Sequence, residues 1–330
     1  MIAQAPAFVN HFSKTCAGTA RNAARQADSG GIGLRVGRDF LPEIILTITP
    51  GEEGRFLRQV ALSTLGMSHT QFKRAKFHGT LLLDGRPARA NERVQAGQRL
   101  RICLPEKCGP PVAPYPLSLA VPYQDESLLV VDKPAPLPSV VSRQGGFTLE
   151  NALFAHLHCP PHFSYHPVNR LDKGASGLMV VARTAHWQQM LQGALRRGDI
   201  LREYLAVCEG CPQPPEGVIR QPIAKAAAAT IRREVSEEGK SAATHYRVLR
   251  QAHGRSLLSI RLETGRTHQI RVHMAWLGCP VTGDFLYGQE EAKLPGRFAL
   301  HSHRLSLVSP ANGERICLES PLPKELEALL

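Results

Sequence analysis

The run Asn169-Arg170-Leu171-Asp172-Lys173-Gly174-Ala175-Ser176-Gly177-Leu178 places a carboxylate between two cations, directly before an apolar stretch that continues to Ala182. Cations on both sides favour the ionised form of Asp172. The glycines at 174 and 177 permit close approach of a ligand or a second backbone. By itself the run fits either a reactive carboxylate or a surface turn leading into a buried strand.

A second dense stretch lies downstream: Thr264-Gly265-Arg266-Thr267-His268-Gln269-Ile270-Arg271-Val272-His273. It follows an apolar run, Leu257 to Leu262, that reads as a strand. Thr267 is suited to cap a helix whose first turns carry His268, Gln269, Arg271 and His273. Such an N-terminus armed with guanidiniums suits an anion, or is simply a capped helix with polar exposed residues. His268 and His273 are five positions apart, not the i, i+4 spacing of a zinc pair. Between the two stretches, Arg202-Glu203-Tyr204-Leu205-Ala206-Val207 presents a tyrosine entering a strand, placed to stack on a base or to pack in a core.

Together these blocks resemble the RluA family of RNA pseudouridine synthases. Asp132-Lys133-Pro134-Ala135 resembles its first block, Asn169 to Leu178 its nucleophile block, and Arg202-Glu203-Tyr204 with Gly210 its tyrosine block. Thr264 to His273, Gly283-Asp284, Tyr287-Gly288, Leu300-His301 and Ser309-Pro310 complete the series, in order, from about residue 118 to the end. Asn169 stands where the family usually has His. Ala175 replaces its usual Thr, and Pro136, Pro138 and Val140 depart from its first block.

The resemblance implies an α+β catalytic domain with a mixed, mostly antiparallel central sheet. It implies an isomerase with Asp172 as nucleophile, Tyr204 stacking on the target base, and Arg271, with Arg266 as rival, pairing with Asp172. Arg170 would enter the RNA stack in place of the extruded nucleotide. Leu171 and Ile270 would wall the pocket, and His268 and Gln269 join the substrate-binding set. No cofactor and no metal are expected, because substrate and product are isomers. The expected substrate is ribosomal rather than transfer RNA. A contrasting reading is a non-catalytic RNA-binding or ribosome-assembly protein on the same scaffold.

Upstream, residues 41–104 read as a small separate unit. Leu41 to Thr49 alternates as a strand, Arg55 to Leu62 carries a helical stripe, and Ser68 or Thr70 caps a helix reaching Phe77. Thr80 to Leu83 then runs into an Asp84-Gly85 turn, and Val94 to Ile102 gives a turn and a strand. Between 53 and 104 ten Lys and Arg oppose three Asp and Glu, so seven of the chain's net +12 fall here. A surface this basic either holds a polyanion through counterion release or is a solvated basic face. With Ser68-His-Thr-Gln-Phe-Lys-Arg, Gly79, Leu83-Asp84-Gly85 and Gly97, the stretch resembles the small RNA-binding module named after a ribosomal small-subunit protein. The candidates for RNA contact are Arg55, Lys73, Arg74 and Lys76. A Pro-rich joint at 105–117 separates this unit from a catalytic domain at 118–330.

The 330 residues suffice for about two domains. With 43% hydrophobic and 21% charged residues, the composition excludes a disordered chain, a collagen and a coiled coil. No apolar run reaches the ~20 residues of a membrane helix. Eight scattered cysteines, with Cys208 and Cys211 as a lone CxxC, fit reduced thiols in a cytoplasmic protein rather than a disulfide scaffold. A deaminase-type zinc site would need a Pro-Cys-x-x-Cys, and no Pro precedes Cys208. Residues 1–40 are expected to be a disordered extension, and the protein a monomer without an obligatory protein partner.

Overall fold

The computed structural model describes residues 43–104, 111–141, 145–161, 163–227 and 231–330. The expected extension at 1–40, and half of the Pro-rich joint, lie outside the described residues.

The first unit contains the strands β1 (Glu43–Thr47), β2 (Thr80–Leu83), β3 (Arg86–Pro87) and β4 (Arg99–Cys103), paired as an antiparallel sheet ordered β1-β4-β2-β3. Helices α1 (Leu57–Ser63) and α2 (His69–His78) lie between β1 and β2 in the chain. Of the two expected caps for α2, Ser68 is the one used. Its Oγ accepts the Gln71 N–H at 3.2 Å, and Gln71 Oε1 accepts the Ser68 N–H at 3.1 Å, a reciprocal box. Asp84 and Gly85 both have positive φ, 50° and 82°, as a two-residue hairpin turn requires.

The second unit is built on a ten-stranded sheet. Its strands are β5 (Ala120–Gln124), β6 (Leu128–Lys133), β7 (His166–Pro167), β8 (Ser176–Ala182), β9 (Leu201–Glu209), β10 (Glu216–Ile219), β13 (Thr244–Ala252), β14 (Arg255–Leu262), β15 (Leu300–Val308) and β16 (Arg315–Glu319). A two-stranded ribbon, β11 (Ile223–Lys225) and β12 (Arg233–Val235), lies outside it. The order is β10-β13-β14-β9-β15-β8-β6-β5, with β16 beside β15 and β7 beside β8. The β15–β8 pair is parallel; the other described pairs are antiparallel. Thus β15 is paired to β9 and to β8, although about 90 residues of chain follow β9 before it begins. Helices α3 (Leu149–His156), α4 (Ala185–Arg197), α5 (Gln269–Trp276) and α6 (Lys324–Glu327) complete the unit. No helix among the described residues is long and apolar enough to cross a membrane.

The period-two alternation of a strand explains why the sheet is covered on both faces. Leu128, Val130, Leu178 and Val180 join one core cluster; Leu129, Val131, Met179 and Val181 join the other. The second cluster holds α3 and α5 through Leu149, Leu153, Ile270 and Met274. The first holds Trp187 and Leu191 of α4 and extends into the small unit through Ile44, Leu57 and Phe72. The helical side of the small unit is therefore packed against α4. Gln71 Nε2 donates to the Ala185 carbonyl at 3.2 Å, and Gln189 Nε2 to that of Gly66 at 3.1 Å. The second half of the joint is also packed, with Tyr115 stacked on Phe147 at 4.6 Å between ring centroids.

One local expectation is corrected. Thr267 does not cap α5. His268, with φ 57°, occupies the cap position without a side-chain cap bond, and the helix starts at Gln269. The Gln269 side chain takes over the first turn, with Oε1 accepting from Thr264 Oγ1 at 2.8 Å and from the Arg266 N–H at 2.9 Å. Arg271, in the first turn of the helix, is 3% exposed and faces the interior.

Candidate active site

Asp172 sits on the loop that enters β8, and three neighbours fix that loop. Ser139 Oγ donates to the Leu171 carbonyl at 2.6 Å and accepts its N–H at 3.2 Å. The Leu137 N–H reaches the Lys173 carbonyl at 3.0 Å, and the Phe298 N–H reaches that of Gly174 at 3.2 Å. A Cβ at position 174 would lie 2.6 Å from the Phe298 ring, so this position requires glycine. The pinned backbone leaves the Asp172 carboxylate half-buried beside a cleft of about 810 Å³.

Arg271 connects that carboxylate to the interior. Its Nη1 donates to Asp172 Oδ2 at 2.9 Å, while Nε and Nη2 grip Asp284 at 2.6 and 2.8 Å. Asp284 is fully buried and also accepts the backbone N–H of Leu286 at 3.0 Å. The guanidinium plane lies over the Phe298 ring, 4.2 Å from its centroid. Burial pulls the Arg271 pKa down, but the hydrogen bonds and charges of Asp284 and Asp172 outweigh it, and the net shift is upward. Arg271 is therefore a permanently charged fork spanning two carboxylates, a bidentate geometry that lysine cannot reproduce. Arg266, the rival partner, instead donates through Nε to the Ser241 carbonyl at 2.9 Å.

His268 lies on the other side of the carboxylate, with Nε2 4.0 Å from Asp172 Oδ1. Its Nδ1 is 2.8 Å from the Tyr287 hydroxyl, which accepts the Arg233 N–H at 2.8 Å. Desolvation lowers the His268 pKa in spite of the nearby Asp172 charge.

The cleft gathers most of the residues expected from sequence. Arg170 is exposed at its rim, and Leu171, Tyr204, Arg266 and His268 line it. Tyr204 is 4% exposed on β9, paired with Ile260 and Ser302 on the flanking strands. Ile270 is buried against the same core. Gln269, placed among the substrate-binding residues from sequence, has its amide engaged inside the protein. Its Nε2 donates to the Ala243 carbonyl and to Thr244 Oγ1, both at 3.0 Å. Lys73 and Lys76 lie on the small unit beside a separate groove, and Arg55 and Arg74 are not among the residues lining it.

Three contributors received no role from the sequence. Asp284 and Tyr287 belong to the quoted blocks, yet nothing in their spacing marks them as the partners of Arg271 and His268. Lys133 ends an apolar strand and is completely buried, with Nζ donating to the Leu137 carbonyl at 2.8 Å and to that of Pro134 at 3.0 Å. Desolvation lowers its pKa to about 7, against the pull of Asp172. Lys133 thus ties the 134–139 segment that carries Ser139 to the sheet behind the carboxylate.

Residues 127–276 match the family model described as RNA pseudouridylate synthase. The chain is 38% identical over 272 residues to ribosomal large subunit pseudouridine synthase D of Xanthomonas campestris, covering 76% of this chain and 80% of that protein. It is 34% identical over 332 residues to the protein of the same description from Nitrosomonas europaea, covering 94% and 92%. Among solved structures, human RNA pseudouridylate synthase domain containing 4 matches with a TM-score of 0.52 at 27% identity, over 63% of this chain and 90% of that one. The enzymatic reading therefore holds over the non-catalytic alternative: the chain belongs to the RluA family of RNA pseudouridine synthases, isomerases that convert uridine to pseudouridine in RNA.

Proposed function

We propose that the chain isomerises a specific uridine of structured ribosomal RNA, with Asp172 as the nucleophile. The observation that carries this reading is the Asp172–Arg271–Asp284 chain of charge-assisted bonds at the edge of the cleft. A carboxylate that must attack has to be ionised, immobile and reachable. Arg271 holds the carboxylate in place, and the cleft leaves it reachable.

In the proposed sequence an Asp172 oxygen attacks C1′ of a flipped uridine, and the C1′–N1 bonding pair leaves with the uracil. The uracil turns in the pocket. Its C5 then bonds to C1′ and displaces Asp172, the proton leaves C5, and N1 ends protonated. Attack on the base is the alternative first step. Atoms balance without an oxidant or co-substrate, so the reading needs no cofactor. Tyr204 stacks on the base, Arg170 fills the gap left in the RNA, and Leu171 and Ile270 hold the pocket's shape. The small basic unit retains the RNA electrostatically, and the chain works as a cytoplasmic monomer. The choice of ribosomal RNA is supported by the descriptions of the Xanthomonas and Nitrosomonas relatives.

The test is a pseudouridine map of ribosomal and transfer RNA from cells with and without the gene, complemented by wild type or Asp172→Ala. A ribosomal site that disappears and returns only with wild type supports both assignments. Return of the site with Asp172→Ala removes the nucleophile assignment, and a lost site in transfer RNA removes the substrate assignment.

A further inference from the structure

A second groove, far from Asp172 in sequence, belongs entirely to the small unit. It has a volume of about 1260 Å³ and runs between the two helices α1 and α2 and the β2–β3 hairpin. Arg58, Lys73, Lys76 and Arg89 line it, and none of its lining residues is Asp or Glu. All four cations are exposed. Charge alone would suit any polyanion, including a duplex.

The aromatic residues narrow the choice. Phe77 lines the groove with 60% of its surface exposed, and Phe56 does so with 37%. Each carries a cation: Lys76 Nζ lies 4.8 Å from the Phe77 centroid, and Arg93 Cζ 4.7 Å from that of Phe56. Phe72 beside them is 5% exposed and belongs to the core cluster, whereas Phe56 and Phe77 do not. In a duplex the base faces are hidden in the stack, and a protein meets phosphates, sugars and base edges instead. An unpaired base presents a π-face, and an exposed ring among cations is the arrangement that receives it.

We infer that this groove takes an unpaired stretch of RNA, with one base stacked on Phe77 and the flanking phosphates on Arg58, Lys73, Lys76 and Arg89. The inference rests on the reading of the small unit as the part that retains RNA, and adds that it selects single-stranded or bulged segments over duplex. Phe77 is exposed, so its replacement leaves the fold in place, which an unchanged melting temperature verifies.

The experiment titrates the full chain with a fluorescent single-stranded RNA and with the same strand annealed to its complement, across a salt series. Phe77→Ala and Phe77→Leu should weaken single-strand binding by about 5- to 100-fold. Phe77→Tyr should restore it, the salt slope should not change, and duplex binding should stay as it was. Lys73→Gln with Lys76→Gln should instead lower the salt slope. If the lysine pair acts and Phe77→Leu binds the single strand like wild type, the stacking inference is overturned while RNA retention stands. If the Phe77 variants weaken duplex and single strand alike, selection for unpaired RNA is overturned. If neither set changes binding, both readings fall.

Discussion

Both the cleft at Asp172 and the groove at Phe77 are rich in arginine or lysine, but they use charge in opposite ways. In the cleft the decisive cation, Arg271, is 3% exposed and spans two carboxylates. In the groove the cations are exposed, and the lining holds no acid to fix them. A buried, matched charge sets a position to within a fraction of an ångström but contributes little net stability. An exposed, unmatched charge sets no position but releases counterions when a phosphate arrives. The first arrangement suits the proposed chemistry and the second the proposed retention of RNA.

The comparison is most exposed to Asp172→Asn. Turnover should fall by about 10⁴-fold or more while affinity for RNA stays within a few-fold of wild type, read by single-turnover conversion and a binding titration. Comparable losses in both would mean that the cleft is mainly a binding surface. Next in size is Asp284→Ala, which strands the Arg271 charge in the interior. It should cost about 3–5 kcal/mol of stability, measured by chemical denaturation, whereas Arg89→Ala in the groove should leave the denaturation midpoint in place. If the two variants denature alike, the contrast between matched and unmatched charge is wrong.

The double change Lys73→Gln with Lys76→Gln should raise KM and leave kcat unaltered. It should also reduce the slope of log affinity against log salt by about 0.7 for each RNA phosphate that is no longer neutralised. The smallest effect is a pH dependence at Lys133. Burial sets its folded-state pKa at about 7, while an unfolded lysine titrates near 10.4, by about the standard value. Between those values the unfolded state binds more protons, so this residue makes stability rise with pH, and below about 7 it contributes no slope. The stability of wild type relative to Lys133→Met should therefore increase from neutral to alkaline pH, by on the order of 1 kcal/mol per unit. A difference that does not vary with pH would show that Lys133 is charged throughout.

Much of this was legible in the sequence, and the exceptions share a physical cause. Alternation within Leu128-Leu129-Val130-Val131 announced a strand, and the two core clusters divide those residues between the two faces. The Asp84-Gly85 turn and the Ser68 cap follow from backbone preferences that act within a few residues. Asp172 and Arg271 were picked out by blocks that occur in a fixed order. Burial at tertiary contacts was not legible. Nothing in the sequence marks Lys133 as buried, yet it is completely enclosed and holds the Pro134 and Leu137 carbonyls. The glutamine of the second stretch reads as a ligand to substrate but is committed to holding the start of α5. A left-handed residue such as His268 is uncommon outside glycine, whereas Thr267 is of a standard capping type.

The position of β15 has a consequence for how the protein is made. The strand at 300–308 joins β8 to β9, and until it arrives those two strands have no common neighbour. Most of the chain must leave the ribosome before the central sheet can close, because strand pairing at such sequence separation is slow and depends on the whole intervening length. The small sheet is complete by residue 103. During synthesis the protein thus acquires the unit proposed to grip RNA well before Asp172, Arg271 and Asp284 can meet, and a truncated chain would present open strand edges in place of an active site.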